Sequence, residues 1–186
     1  MSLETDRARL LDLLRTLSFE RRKVVLASGR ESDFYVDCKR TALTAEGHVL
    51  VGRCLFAEAR RLRPLVRGVG GLTLGADPIA SAVALTSFLE GEPIDAFIVR
   101  KEPKGHGTGQ WIEGRKTIPD GSRVVVLEDV VTTGGSALKA IERCRAEKLE
   151  VVACLALVDR LEGGREAIEA TGVPLTALFT RKDFIP

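Results

Sequence analysis

The stretch VVVLEDVVTTGGS, residues 124–136, changes character twice. It begins as an unbroken aliphatic and β-branched run, passes through the acidic pair Glu128 and Asp129, and ends in hydroxyls and glycines. A strand that is apolar at every position belongs in a parallel sheet covered on both faces, where neither side of the strand meets water. Residues 136–148, SALKAIERCRAEK, then show helical spacing, so the stretch reads as strand, turn and helix N-terminus. Thr132, Thr133, Gly134, Gly135 and Ser136 make the turn. Glycine lets the backbone come close to an anion, hydroxyls donate, and the first N–H groups of a helix have no partner within it. That combination is a phosphate cradle. It is not a P-loop, because no Gly-Lys-Ser/Thr follows and the turn carries no lysine. Glu128 and Asp129 would repel a phosphate placed directly on them, but they suit a ligand that also offers hydroxyls, as a ribose does. Taken alone, TTGGS also reads as an ordinary capped helix start. Strand, acidic pair and turn together favour a ligand.

The same alternation recurs outward from this stretch. Strands are predicted near residues 65–69, 96–100, 123–129, 150–160 and 175–179, and helices over 79–89, 136–148 and 165–172. Strands alternating with helices indicate an α/β fold, a parallel sheet flanked by helices. The first ~60 residues break the rhythm. They hold a helix over 5–17 with Thr5 or Asp6 as cap, two short strands around the turn Ser28, Gly29 and Arg30, and a helix from Ala45 to about Arg61 capped by Thr44. They are expected to form a small flap over one end of the sheet, within a single domain spanning 1–186.

With 186 residues, 45% hydrophobic and 29% charged, the chain suits one globular domain. No apolar run approaches the ~20 residues of a membrane helix, and residues 1–17 lack a signal-peptide core, so cytoplasm is the expected location and no membrane partner is expected. A net charge of +2 does not announce nucleic acid. Cys38, Cys54, Cys144 and Cys154 lack metal-ligand spacing, and the last two with Cys54 read as small core residues. With His48 and His106 the only histidines, a histidine-rich metal site is excluded and no dedicated protein metal ligand is expected.

In open α/β sheets ligands bind at the carboxyl ends of strands. Three loops leave such ends: residues 70–77, 100–116 and 128–136, and a fourth strand end carries Asp159 and Arg160. The first, GGLTLGADP, offers backbone N–H groups, although its Gly-Gly reads more simply as a tight turn. The second, RKEPKGHGTGQWIEG, places Arg100, Lys101, Lys104 and His106 among Gly105, Gly107 and Gly109. Donors on a segment that cannot pack suit a lid that closes over a highly charged ligand, excludes water and neutralises charge on a departing anion. A solvated charge run is the ordinary alternative.

On these residues the chain resembles the type I phosphoribosyltransferases, and VVVLEDVVTTGGS is similar to their phosphoribosyl-pyrophosphate signature. RKEPKGHGTG resembles the catalytic loop of the orotate-specific branch, and SGRESDFYVD its N-terminal hood, to which residues 1–60 and the C-terminal segment would contribute. The resemblance implies transfer of a phosphoribosyl group from phosphoribosyl pyrophosphate (PRPP) to orotate, with Mg²⁺ as cofactor. It implies that Glu128 and Asp129 hold the ribose hydroxyls, that Val131, Thr132, Thr133, Gly134, Gly135 and Ser136 hold the 5′-phosphate, and that Val130 also borders PRPP. Arg100, Lys101, Lys104 and His106 would meet the pyrophosphate, with Lys101, Lys104, His106 and Asp129 as the catalytic set. Lys101 would reach the neighbouring subunit of a homodimer. Thr132, Arg160 and Tyr35 would contact orotate; for Arg160, an ion pair with Asp159 or Glu162 is the bland alternative.

The chain departs from the family in two places. Ala27 stands where some members carry a hood lysine, and LTLGAD has no base where some carry one; Lys39 or Arg40 is a candidate substitute. Pro103 stiffens the lid. Salvage of a purine or uracil, or a non-catalytic nucleotide-sensing regulator on the same fold, are the competing functions. The first is disfavoured by the lid and Arg160, and the second by the retained basic residues. A dinucleotide-binding fold lacks its GxGxxG here.

Overall fold

A computed structural model describes residues 2–25, 31–103 and 109–185. Helix α1 (Leu3–Leu13) is capped by Ser2, whose Oγ accepts from the N–H of Thr5 at 3.2 Å. The expected caps, Thr5 and Asp6, instead lie in the first turns, where Asp6 is buried and meets Arg53 Nη1 at 3.2 Å. After a π-turn, β1 (Phe19–Val25) pairs antiparallel with β2 (Glu31–Val36). The short α2 (Lys39–Ala42) leads to α3 (Ala45–Ala59), which Thr44 caps as expected through Gly47 N–H at 3.0 Å. This hairpin is tied to the far end of the chain. The rings of Phe19, Phe34 and Phe184 meet with centroids 5.0–5.6 Å apart, and Arg181 reaches Asp33 at 2.6 Å.

The remaining strands form one sheet: β3 (Gly68–Leu72), β4 (Asp95–Val99), β5 (Ile112–Glu113), β6 (Arg123–Val131), β7 (Glu150–Asp159) and β8 (Leu175–Thr180). Their spatial order is β5-β4-β3-β6-β7-β8, with parallel pairing except for β5, which runs antiparallel to β4 at the edge. Helices α4 (Asp77–Leu89), α5 (Gly135–Ala146) and α6 (Gly164–Glu169) complete the crossovers. The apolar run of β6 divides by alternation. Val125 and Leu127 face α3, α4 and the hairpin, whereas Val124 and Val126 face α5 and α6. Along β7, Ala153, Leu155 and Leu157 join the first core while Cys154 and Ala156 join the second. A strand buried on both sides can have no polar period, which is why an unbroken apolar run, and not alternation, marks these strands in the sequence. All four cysteines are buried and free. No helix among the described residues is long and apolar enough to cross a membrane.

Three expectations need correction. β3 lies three residues later than the predicted 65–69 and includes Gly70 and Gly71, which read as a turn. A Cβ on Gly70 would lie 2.1 Å from the Phe97 carbonyl oxygen, and one on Gly71 2.1 Å from that of Leu127. Strands rarely favour glycine, but close approach of backbones requires it. β6 runs to Val131, two residues past the predicted end at Asp129, so Val130 and Val131 belong to the strand and not to the loop after it. And residues 112–113, assigned to the basic loop, return to the sheet as β5 because Ile112 is a fully buried core residue.

Gly71→Ala should destabilise the fold by about 2–3 kcal/mol, because the added methyl overpacks two central strands. Chemical denaturation measures this, and an unchanged midpoint would contradict the packing.

Candidate active site

From β3 the chain moves outward to β4 and β5, then returns past β3 to β6 and continues the other way. The strand order therefore reverses between β3 and β6, and a crevice opens at their carboxyl ends. Two turns face each other across it. At Gly75, in the turn after β3, a Cβ would lie 2.6 Å from Asp129 Oδ1, so the turn sits directly against that carboxylate. Below β6 a hollow of about 300 Å³ is lined by Leu72, Glu128, residues 130–136 and Lys139. Gly134, at φ +82°, caps α5 and packs against Gly164, where a Cβ would lie 3.0 Å from the carbonyl oxygen. The first turn of α5 thus presents its N–H groups to the hollow.

Lys139 was not expected here. The turn itself carries no lysine, but the helix brings one back a single turn later, three residues after Ser136. The signal was the helical i, i+3 spacing.

The acidic pair is not a matched pair of exposed carboxylates. Glu128 is only 7% exposed. Burial, then the adjacent charge of Asp129 and a hydrogen bond to it, push the Glu128 carboxyl up to about 9. Asp129 Oδ1 accepts from Val130 N–H at 2.9 Å, and Oδ2 lies 3.9 Å from Lys39 Nζ, which also reaches Asp37 at 2.7 Å. Burial alone would lower Lys39, but these two carboxylates outweigh it and raise its pKa. Cys38 Sγ donates to the Asp129 carbonyl at 3.7 Å. Of the two candidate substitutes for the missing bases, Lys39 is therefore at the site, while Arg40 turns away to Glu20 at 2.5 Å.

Arg160 N–H donates to the carbonyl of Val131 at 2.9 Å, so it stands directly beside the cradle. Its Nε and Nη2 reach Glu162 Oε1 at 3.1 and 2.9 Å, and its guanidinium lies 5.5 Å from the Phe34 ring. Asp159 pairs with Arg165 instead, at 3.2 Å. Tyr35 is the strand neighbour of Phe34. Adjacent strand residues face opposite ways, and the Tyr35 ring lies between Arg22 at 4.0 Å and Arg40 at 5.9 Å.

Arg100 begins the basic loop. Its N–H donates to the Trp111 carbonyl at 2.9 Å and its Nη1 to Glu113 at 3.0 Å. Lys101 is exposed and lines a second hollow, of about 430 Å³, that shares Leu72, Ser136 and Lys139 with the first. Lys104 and His106 lie outside the described residues, as does Ala27. Trp111 is half-buried on the core beside α5, with the Arg143 guanidinium 3.6 Å from its ring centre.

The raised Glu128 pKa has a stability consequence. Between the ordinary value of 4.5 and about 9, the folded chain keeps a proton that the unfolded chain has released. Stability therefore falls as pH rises through that window. Glu128→Gln removes the titration, so the melting temperature of the variant relative to the native chain should climb by about 5 °C or more from the acid to the alkaline end. Thermal melts across that range test it, and a constant difference would contradict the burial argument.

The comparisons with known proteins agree with this geometry. Residues 69–173 match the family model described as the phosphoribosyl transferase domain. An orotate phosphoribosyltransferase of Sorangium cellulosum is 56% identical over 98% of this chain and 94% of its own length. The orotate phosphoribosyltransferase of Mycobacterium tuberculosis H37Rv, solved with Fe(III) dicitrate, superposes with a TM-score of 0.84 at 42% identity, covering 97% of this chain and 99% of that one. The same enzyme solved in complex with PRPP gives 0.79 at 41% identity, covering 96% and 98%. With nearly the whole chain matched at this identity and a phosphate cradle set at the reversal of a parallel sheet, the chain belongs to the orotate phosphoribosyltransferases of the phosphoribosyl transferase domain family.

Proposed function

We propose that the chain transfers the 5-phosphoribosyl group of PRPP to orotate, giving orotidine 5′-monophosphate and pyrophosphate with inversion at the anomeric carbon. The observation that carries this is the juxtaposition at one crevice of cradle, acidic pair and arginine. The turn at residues 132–136 takes the 5′-phosphate on backbone N–H groups and hydroxyls. Asp129 and Glu128 take the ribose 2′- and 3′-hydroxyls, Asp129 as acceptor and Glu128 as the partner that releases or donates its proton according to pH. Arg160, two bonds of its fork already fixed by Glu162, stands one backbone hydrogen bond from Val131. It recognises the planar orotate carboxylate together with Thr132.

Bond breaking leads bond making, with positive charge developing on the ribose and negative charge on the departing pyrophosphate. The protein then has two tasks: to hold both substrates in line and to stabilise the leaving group. Arg100, Lys101, Lys104 and His106 perform the second when the basic loop closes. Mg²⁺ fits the donor set, since the crevice offers carboxylate oxygens and a hard cation prefers oxygen. Among the described residues no cluster of three His, Cys, Asp or Glu side chains could hold a metal alone. Asp129 would hold Mg²⁺ through water, with substrate oxygens as its other ligands, and the ion would supply positive charge to the leaving pyrophosphate.

The working unit is a homodimer within the cytoplasm, each chain one domain. Leu74, in the turn after β3, and Leu85 and Phe88, toward the far end of α4, are 68%, 55% and 72% exposed and leave apolar surface uncovered. A second copy of the chain would cover it and present Lys101 to the neighbouring crevice.

Lys101→Ala should lower turnover by roughly 10²–10³ while leaving orotate affinity within about twofold, since its partner is charge that develops only at the transition state. Mixing Lys101→Ala chains with Asp129→Asn chains should restore part of the activity through hybrid sites. Steady-state kinetics and the mixing assay measure both. Unchanged turnover removes Lys101 from the catalytic set, and no rescue under confirmed subunit exchange contradicts action across the dimer.

A further inference from the structure

We infer that Lys139 is an additional substrate-binding residue of this chain, reaching back along α5 to the 5′-phosphate of PRPP; the inference rests on the phosphoribosyl-transfer function proposed above. Its place in the helix makes the contact geometrically direct. Lys139 follows Gly135 and Ser136 by four and three residues, so it stands over the turn whose N–H groups open the cradle. Helical side chains tilt toward the N-terminus and lie over the preceding turn, which aims the Lys139 stem at the cradle and not away from it. The hollow at residues 130–136 is accordingly lined by Lys139 as well as by the turn.

The charge balance around the crevice supports the same conclusion. A 5′-phosphate brings close to two negative charges, and the nearest charged carboxylate, Asp129, is acidic. Of the other bases within reach, Lys101 is exposed on the second hollow and the rest are engaged. Lys39 lies between Asp37 and Asp129, Arg160 on Glu162, Arg100 on Glu113, and Arg143 on the Trp111 ring. Lys139 is exposed and makes no ion pair among the described residues, even with Glu142 one turn further along. An ammonium on a flexible stem beside backbone donors adds a charge-assisted contact that the turn alone does not supply. Lys139 also borders the hollow lined by Arg100 and Lys101, so it stands between the cradle and the stem of the basic loop.

Binding separates this role from the chemistry. Ribose 5-phosphate carries the 5′-phosphate without the pyrophosphate, and inorganic pyrophosphate the reverse. In titration calorimetry with the full chain, Lys139→Gln should weaken ribose 5-phosphate about tenfold and leave pyrophosphate within about twofold. KM for PRPP should rise by a similar factor with kcat little changed, since a contact made equally in ground and transition states raises KM alone. Lys139→Arg should recover most of the affinity. The site is on an exposed helical face, so a matching thermal melt shows that the variant is folded. If the native chain binds ribose 5-phosphate and Lys139→Gln binds it equally well, Lys139 is not a phosphate ligand. If pyrophosphate alone weakens, the residue belongs to the lid side and the inference is overturned. If the native chain binds neither ribose 5-phosphate nor PRPP, the underlying function itself fails.

Discussion

Between β3 and β6 there is no room for a side chain. A Cβ on Gly71 would meet the Leu127 carbonyl at 2.1 Å, and one on Gly75 would meet Asp129 Oδ1 at 2.6 Å. That close approach sets the width of the crevice. It places the turn after β3 against the acidic end of β6, and it fixes where the strand order reverses. The cradle, the acidic pair and the start of the basic loop are all positioned from that one seam. Arg160 is tied to it through the backbone of Val131, and Lys39 through Asp129.

The charges at the crevice are arranged so that few are idle. Asp129 shares Lys39 with Asp37, and Glu128 answers its own burial by holding a proton. The chain lacks lysines at Ala27 and in the turn after β3, where some family members carry them. Lys39 and Lys139 enter the crevice from α2 and α5 instead. The hood, the central sheet and α5 therefore each contribute to one binding surface, although they are far apart in sequence.

Most of the architecture was legible because apolar strands buried on both faces leave an unmistakable run, as in residues 124–127 and 153–158. The cradle was legible because the apolar strand, the acidic pair and Thr-Thr-Gly-Gly-Ser stand together before a helix; the turn alone reads equally as a capped helix start. What the residues hid were matters of three-dimensional approach. Gly70 and Gly71 look like a turn until Phe97 and Leu127 are seen against them. β5 is too short to show a period. Lys139 lies outside the turn's own sequence and joins its donors only through the helix that follows. Tyr35, expected at the orotate site from likeness, has its ring beside Arg22 and Arg40, while the Arg160 guanidinium lies over the ring of its neighbour Phe34.

The central claim concerns which base completes the reaction. Pyrophosphate release should be measured from PRPP and Mg²⁺ with orotate, uracil, hypoxanthine, xanthine or adenine supplied separately. Release with orotate alone is the expected result. Release with another base, or none with any base despite tight PRPP binding, would mean that the crevice holds phosphoribosyl pyrophosphate for a different purpose.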